Sequence, residues 1–231
     1  ATLAELEPFA ESRLPALARM ARYFGARQIK HRATVGGNLC TASPIGDLAP
    51  VLISLGAVAV LASANGERRV PLEFFFVSYR KTALEAGEIL ARVEVPRPSA
   101  SAKSMAYKVS KRRELDISTV ACGLYVQLNE AGVVTLARLA FGGMAAVPKR
   151  AAAVEQALLG QRWHETTVEA AVASLPNDFT PVSDHRGSSA YRFAVAGNLL
   201  RGFFHETYGA HSPPLLPLHT GTVQPPTVGG S

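Results

Sequence analysis

Apolar residues recur at helical spacing at Leu14, Leu17, Met20, Ala21 and Phe24, which predicts an amphipathic helix over 11–25. Ser12 before Leu14-Pro15 marks its start, and Gly25 sits where a helix stops. Val51–Leu55 is expected to finish a short buried helix capped by Gly56. The run AVAVLA over 57–62 reads as a strand, and Ala64-Asn65-Gly66 as a tight turn into a partner over 68–72. Phe74, Phe75 and Phe76 are consecutive aromatics, expected to be mostly buried. The segment EILARVEVP over 88–96 alternates as a strand, with Ile89, Ala91, Val93 and Val95 on one face and Leu90 on the other.

A polar stretch over 97–104 reads as a linker between two subdomains. Beyond it, strands are predicted over 106–110, 120–128 and 133–141. A charged loop spans 111–116, a turn covers Asn129 to Gly132, and Gly142-Gly143 closes a three-stranded antiparallel sheet. Helices follow over 149–159, ending at Gly160, and over 165–175, ending at Pro176. After a polar connection over 178–187, a third spans 189–208, with Tyr191, Ala194, Val195, Leu199 and Phe203 along one face. The whole is an α+β chain in two units, 1–98 and 103–210, with a Pro-rich tail over 211–231 expected to be extended or disordered and available to clasp a partner.

Composition narrows the function classes. At 231 residues, 48% hydrophobic and 18% charged, the chain is long enough for one large or two small cores. No apolar run approaches the roughly 20 residues that span a bilayer. The opening segment ATLAELEPFAESRL is mixed and acidic, unlike a secretory leader, so a cytoplasmic location is expected. The net charge is +6, but the basic residues are scattered. Their densest cluster, Lys108, Lys111, Arg112 and Arg113, accompanies no nucleic-acid motif, and an anionic ligand or partner subunit explains the charge as well. Cys40 and Cys122 are expected to be reduced, and two thiols cannot hold an iron-sulfur cluster. The six histidines lack metal-ligand spacing, and no Ser-His-Asp or Cys-His pair is evident, so neither metal nor catalytic residues are assigned.

The candidate chemistry lies in ATVGGNLCTASPIGDLAP over 33–50. Gly36 and Gly37 let another group approach the backbone, and Thr34, Asn38, Ser43 and Asp47 supply short polar side chains. Asp47 also stands where it can cap the apolar run after it. Tyr79-Arg80-Lys81-Thr82 places an aromatic beside two cations, which suits either a solvated loop or the rim of a site for an anionic nucleotide.

T-V-G-G-N followed by T-A-S-P-I-x-D-L resembles the FAD domain of the molybdenum hydroxylases, and among them the xanthine dehydrogenases. FFxxYRKT over 75–82, K-x-S-x-R-R-E over 108–114 and LAFGGMA over 139–145 agree with it in order and spacing, so the likeness spans about residues 13–208. It implies that 1–98 is the second part of an FAD-binding domain and 103–210 a CO dehydrogenase flavoprotein C-terminal-like domain. It also implies that Phe24, Thr34, Gly36, Gly37, Asn38, Ser43, Asp47, Leu90 and Lys108 hold FAD, with adenine between Phe24 and Leu90. Periodicity alone gives Phe24 a core role instead, and Lys108 a solvated one. Tyr79, Arg80 and Arg112 would border the access of NAD; Leu115 departs from the animal enzymes, which carry an acidic residue there.

The expected activity is an NAD-linked xanthine dehydrogenase, with 2Fe-2S clusters and molybdopterin in partner domains or subunits of a heterooligomer. No pyrophosphate loop like V-V-G-N-T-E precedes Ala33, so the chain is expected to be a C-terminal piece of a flavin/iron-sulfur subunit that binds FAD weakly alone. The rivals are a flavoprotein subunit of a carbon monoxide or aldehyde oxidoreductase, and a cofactor-free docking scaffold.

Overall fold

The computed structural model describes residues 1–112 and 115–209. The Pro-rich tail and two residues of the charged loop, Arg113 and Glu114, lie outside them. The chain opens on a helix that the sequence reading did not assign, α1 (Leu3–Glu11). A capping box starts it: Thr2 Oγ1 accepts from the Glu5 N–H at 3.3 Å, and the Glu5 carboxylate accepts from the Thr2 N–H at 2.8 Å. The apolar stripe over 11–25 therefore belongs to a shorter helix, α2 (Pro15–Arg22), because Ser12 ends α1 and Pro15 fits the first turn of the next. Phe24 lies past the end of α2, before Gly25 at φ 56°. After α3 (Arg27–Lys30), the stretch expected as a loop holds α4 (Val35–Cys40) and leads into α5 (Leu48–Ser54). Every residue of α5 is buried. Its Pro50 lies in the first turn, where no intrahelical donor is lost.

The first sheet has the order β2-β1-β5, formed by β1 (Val58–Ser63), β2 (Gly66–Pro71) and, after the small ladder β3 (Phe76–Ser78) and β4 (Lys81–Thr82), β5 (Ile89–Glu94). Simple alternation along β5 fails. Val60 pairs with Arg92 and Leu61 with Leu90, so Ala91 is an extra residue in a bulge. Leu90 is thereby turned to the core with Val93 and Val95, and Ile89 is left 66% exposed. The aromatic triplet also divides: Phe75 and Phe76 are buried edge to face, and Phe74 is exposed.

The second unit begins earlier than expected, with β6 (Ala102–Val109), followed by β7 (Val120–Leu128) and β8 (Val134–Gly142). A fourth strand, β9 (Lys149–Arg150), extends the expected meander to β6-β7-β8-β9 and shortens the next helix to α6 (Ala152–Leu158). Then come α7 (Glu165–Ala173), α8 (Leu175–Asp178), which Pro176 opens rather than ends, and α9 (Ser189–Thr207). The buried stripe of α9 runs through Arg192, Ala196, Leu200 and Phe203, while Tyr191 and Ala194 are exposed. Both stripes have helical spacing; the charged one turns inward because the Arg192 guanidinium finds buried carbonyl partners there.

The four-stranded sheet is covered on both faces. Ala121 and Tyr125 of β7 and Ala140 of β8 join the core of the first unit, and Cys122, Leu124, Val126, Leu139 and Phe141 face the core built with α6, α7 and α9. On the first face α5 lies so close that a Cβ on Gly123 would stand 2.5 Å from Val51 Cα and 2.6 Å from the Pro50 carbonyl oxygen. Both obstacles are backbone, which cannot turn aside. Gly123→Ala is therefore expected to destabilise the chain by about 2 kcal/mol or more, read from the shift of its urea unfolding midpoint.

Candidate cofactor-binding site

Two clefts open beside α4. The first, of about 990 Å³, is lined among others by Phe24, Asn38, Ser43, Asp47, Tyr79, Arg80 and Lys108. The second, of about 1280 Å³, is lined by Leu14, Leu17, Thr34, Gly36, Leu90 and Val93. The sequence-derived residues thus divide between the two: Phe24 and Leu90 line different clefts, and α4 contributes Asn38 to one and Gly36 to the other. Gly37 and Arg112 line neither.

The short α4 is set by its cap, since Thr34 Oγ1 accepts from the Gly37 N–H at 2.9 Å. A Cβ on Gly37 would stand 3.0 Å from that oxygen, and one on Gly36 would reach Leu90 only at 4.0 Å. Asp47 occupies the N-cap position of α5 but does not cap it. Its carboxylate accepts from Lys108 Nζ at 2.6 Å and from the Ser118 hydroxyl at 2.5 Å, and the Asp47 and Lys108 side chains are 9% and 7% exposed. An ammonium donor in a desolvated pocket outcompetes a backbone N–H for the carboxylate, so the expected cap gives way to an ion pair. Near them, Asn38 Oδ1 is buried with no hydrogen-bond partner among the described residues.

At the rim, Tyr79 is 62% exposed, and Arg80 holds φ 55° with its guanidinium carbon 5.8 Å from the tyrosine ring centre. Leu115, Asp116 and Ile117 also line this cleft. Arg112 acts on them indirectly, its N–H donating to Asp116 at 2.8 Å and its guanidinium to the Leu115 carbonyl at 3.2 Å.

The lining residues missed from sequence include Ser118, Asp184 and Arg192. The polar pair Ser118-Thr119 just ahead of a buried strand was the available signal for the first; Arg192 was hidden by the competing apolar stripe on its helix. Arg192 is 2% exposed, and it donates to the carbonyls of Thr119 and Gly143, the latter at 2.9 Å, and to Asp184 at 2.8 Å. Burial pushes the Asp184 carboxyl up, but hydrogen bonds from the Arg186 N–H and the Arg192 guanidinium outweigh it and leave the carboxyl at about 2, below its ordinary 3.8.

Residues 1–98 match the FAD binding domain in molybdopterin dehydrogenase, and residues 105–207 the CO dehydrogenase flavoprotein C-terminal domain. The chain belongs to the FAD-domain family of the molybdenum hydroxylases. It is 37% identical to the nicotinate hydroxylase hnxS of Emericella nidulans, over 84% of this chain and 15% of that one. It is 36% identical to the xanthine dehydrogenase of the same organism, over 87% of this chain and 14% of that one. The fold is similar to carbon monoxide dehydrogenase from Hydrogenophaga pseudoflava, with a TM-score of 0.82, 30% identity, and coverage of 87% of this chain and 70% of that one. The chain therefore spans about one seventh of the two fungal relatives.

The residues present fit the flavin nucleotide that the family implies. The unpartnered acceptor Asn38 Oδ1 suits a ring N–H or a ribityl hydroxyl, the Asp47 carboxylate keeps lone pairs beyond its two donors, and Lys108 supplies positive charge. Among the described residues no group of three or more His, Cys, Asp and Glu is placed to hold a metal ion, and no helix is long and apolar enough to cross a membrane.

Two outcomes are expected. Asp47→Ala strands the buried Lys108 ammonium and costs roughly 3 kcal/mol in urea unfolding, part of which Lys108→Met in the same chain restores. The depressed Asp184 carboxyl gives a stabilisation that is complete above about pH 4 and is lost as pH falls through about 2. Acid unfolding followed by circular dichroism checks this, and Asp184→Asn should remove that part of the pH dependence.

Proposed function

We propose that this chain is the flavin-holding segment of a molybdenum-dependent xanthine dehydrogenase. In that enzyme hypoxanthine and xanthine are oxidised to urate at a molybdopterin centre in a partner, and electrons pass through partner 2Fe-2S clusters to FAD and then to NAD. The observation that carries the flavin part is the unpaired, buried Asn38 Oδ1 beside the Asp47–Lys108 pair, in a cleft of about 990 Å³. A buried acceptor left without a donor costs about 1–3 kcal/mol, and in this cleft a ligand N–H or hydroxyl can supply the donor.

The division of labour follows from the residues. FAD, when bound, supplies the redox centre that accepts and passes on electrons. Asn38 and Asp47 accept hydrogen bonds from it and fix its orientation, and Lys108 offsets negative charge near the ring. Ser43 in the first cleft, and Thr34 and the open backbone at Gly36 in the second, receive its polar chain, while Gly37 serves by capping α4 through Thr34. Because α4 borders both clefts, a dinucleotide lying across it can reach Phe24 from one side and Leu90 from the other. Tyr79 and Arg80, with Arg112 acting through Asp116, border the path of NAD. The partners of this reading are the rest of the flavin/iron-sulfur subunit and a molybdopterin-binding subunit, in a cytoplasmic heterooligomer. Identity of 36% to a xanthine dehydrogenase supports the purine.

A second reading, hydroxylation of nicotinate, draws support from the relative at 37% identity. The two differ at molybdenum, outside this chain, so its residues do not choose between them.

The test is a flavin absorbance spectrum of the complex purified through this chain. Xanthine should bleach the flavin band and NAD should restore it. Bleaching by nicotinate alone would move the substrate to the second reading, bleaching by neither would point to a carbon monoxide or aldehyde oxidoreductase, and an intact complex without flavin would sink the proposal. Phe24→Ala should lower the FAD content per chain severalfold and leave molybdenum content intact, since an adenine stacked on an aromatic ring loses about 1–3 kcal/mol when the ring is removed.

A further inference from the structure

Asp47 is aimed by groups that lie far from it in sequence. Its Oδ2 is taken by Lys108 at 2.6 Å, and its Oδ1 by Ser118 at 2.5 Å, whose side chain is buried. Ser118 has no freedom of its own, because the next residue is fixed twice: the Thr119 N–H donates to the Val109 carbonyl at 2.7 Å, and the Thr119 carbonyl accepts from Arg192. The same guanidinium nitrogen donates to the Gly143 carbonyl, and the Gly143 N–H donates to the Pro44 carbonyl at 2.8 Å, three residues before Asp47. Gly143 sits at φ 82°, and a Cβ there would stand 2.3 Å from the Thr119 carbonyl oxygen, so only glycine lets the two segments share one arginine. Arg192 thus ties the segment carrying Asp47 to the segment carrying Ser118.

We propose that Ser118 and Arg192 are positioning residues for the flavin cleft: Ser118 holds the Asp47 carboxylate against Lys108, and Arg192 holds Ser118 in place. The proposal rests on the reading of the first cleft as the flavin site. Removing the Ser118 donor leaves the carboxylate free to turn and less neutralised. A less neutralised carboxylate makes a nearby flavin harder to reduce, because added electrons meet more negative charge.

The test compares Ser118→Ala, Arg192→Lys and Arg192→Met with the unaltered chain in its purified complex. One readout needs no cofactor: amine-reactive labelling of Lys108, followed by mass spectrometry, should rise about threefold in Ser118→Ala and Arg192→Met as the ion pair opens. Arg192→Lys, which keeps a donor for one carbonyl, should fall between. The second readout is the midpoint potential of the bound flavin, which should fall in Ser118→Ala. Unchanged Lys108 labelling in Ser118→Ala overturns the proposal, and so does a loaded flavin whose potential stays where it was. If Arg192→Met does not fold, Ser118→Ala and Arg192→Lys decide. If the unaltered complex takes up no flavin, the functional reading falls, and the labelling still decides whether Ser118 holds Asp47.

Discussion

The seating of α5 on β7 is the constraint from which the rest of the structure follows. The helix is apolar but for Ser54, whose hydroxyl bonds back to the Val51 carbonyl, and it is buried at every residue, so it has to be enclosed. Gly123 and Ala121 leave the sheet low enough for helix backbone to meet strand backbone. That contact packs one face of the second unit's sheet into the core of the first and fixes where the N-terminal end of α5 emerges. Asp47 stands at that end and faces Lys108 on β6 and Ser118 ahead of β7, two parts of the second unit. The first cleft is therefore not on either unit. It exists because they are pressed together.

Enclosing charge at such a junction costs desolvation, and the structure answers with pairs rather than with isolated ions. Lys108 with Asp47, and Arg192 with Asp184 and two carbonyls, neutralise the wall of the first cleft. Away from the clefts, Arg150 bridges Glu73 of the first unit and Glu155 of the second at 3.0 and 2.6 Å, and Arg19 reaches Glu206 at 3.0 Å. These bridges cross between the units, so they stabilise the relative placement on which the cleft depends. Among the described residues, Asn38 Oδ1 is a buried side-chain acceptor in the first cleft without a donor, and Arg192 Nε a buried donor there without an acceptor.

Much of this was legible in the sequence, because periodicity and motif order are local properties. The β1–β2 hairpin, the meander β6-β7-β8, the three later helices and the family all followed from spacing and from four motifs in register. The stretch over 33–50 gave Asn38, Ser43 and Asp47, and all three reach one cleft. Among the misread elements, two show local reasons. A capping box started α1 inside a segment that looked merely acidic, and a single extra residue at Ala91 reversed the side to which Leu90 turns.

What sequence alone determined, then, is which segments fold as helix or strand and which short polar residues gather near the glycines, since backbone preference and side-chain type act within a few residues. Only tertiary structure decided what Asp47 binds. A carboxylate at a helix start has a local partner in the backbone N–H groups, and it loses that partner only if an ammonium is brought to it from 61 positions away. The same holds for Arg192, whose inward turn on α9 depends on the carbonyls of Thr119, just before β7, and Gly143, just after β8. Hydrogen bonds and ion pairs are short-ranged in space and indifferent to separation along the chain, and for that reason the fold had to be known before the site could be.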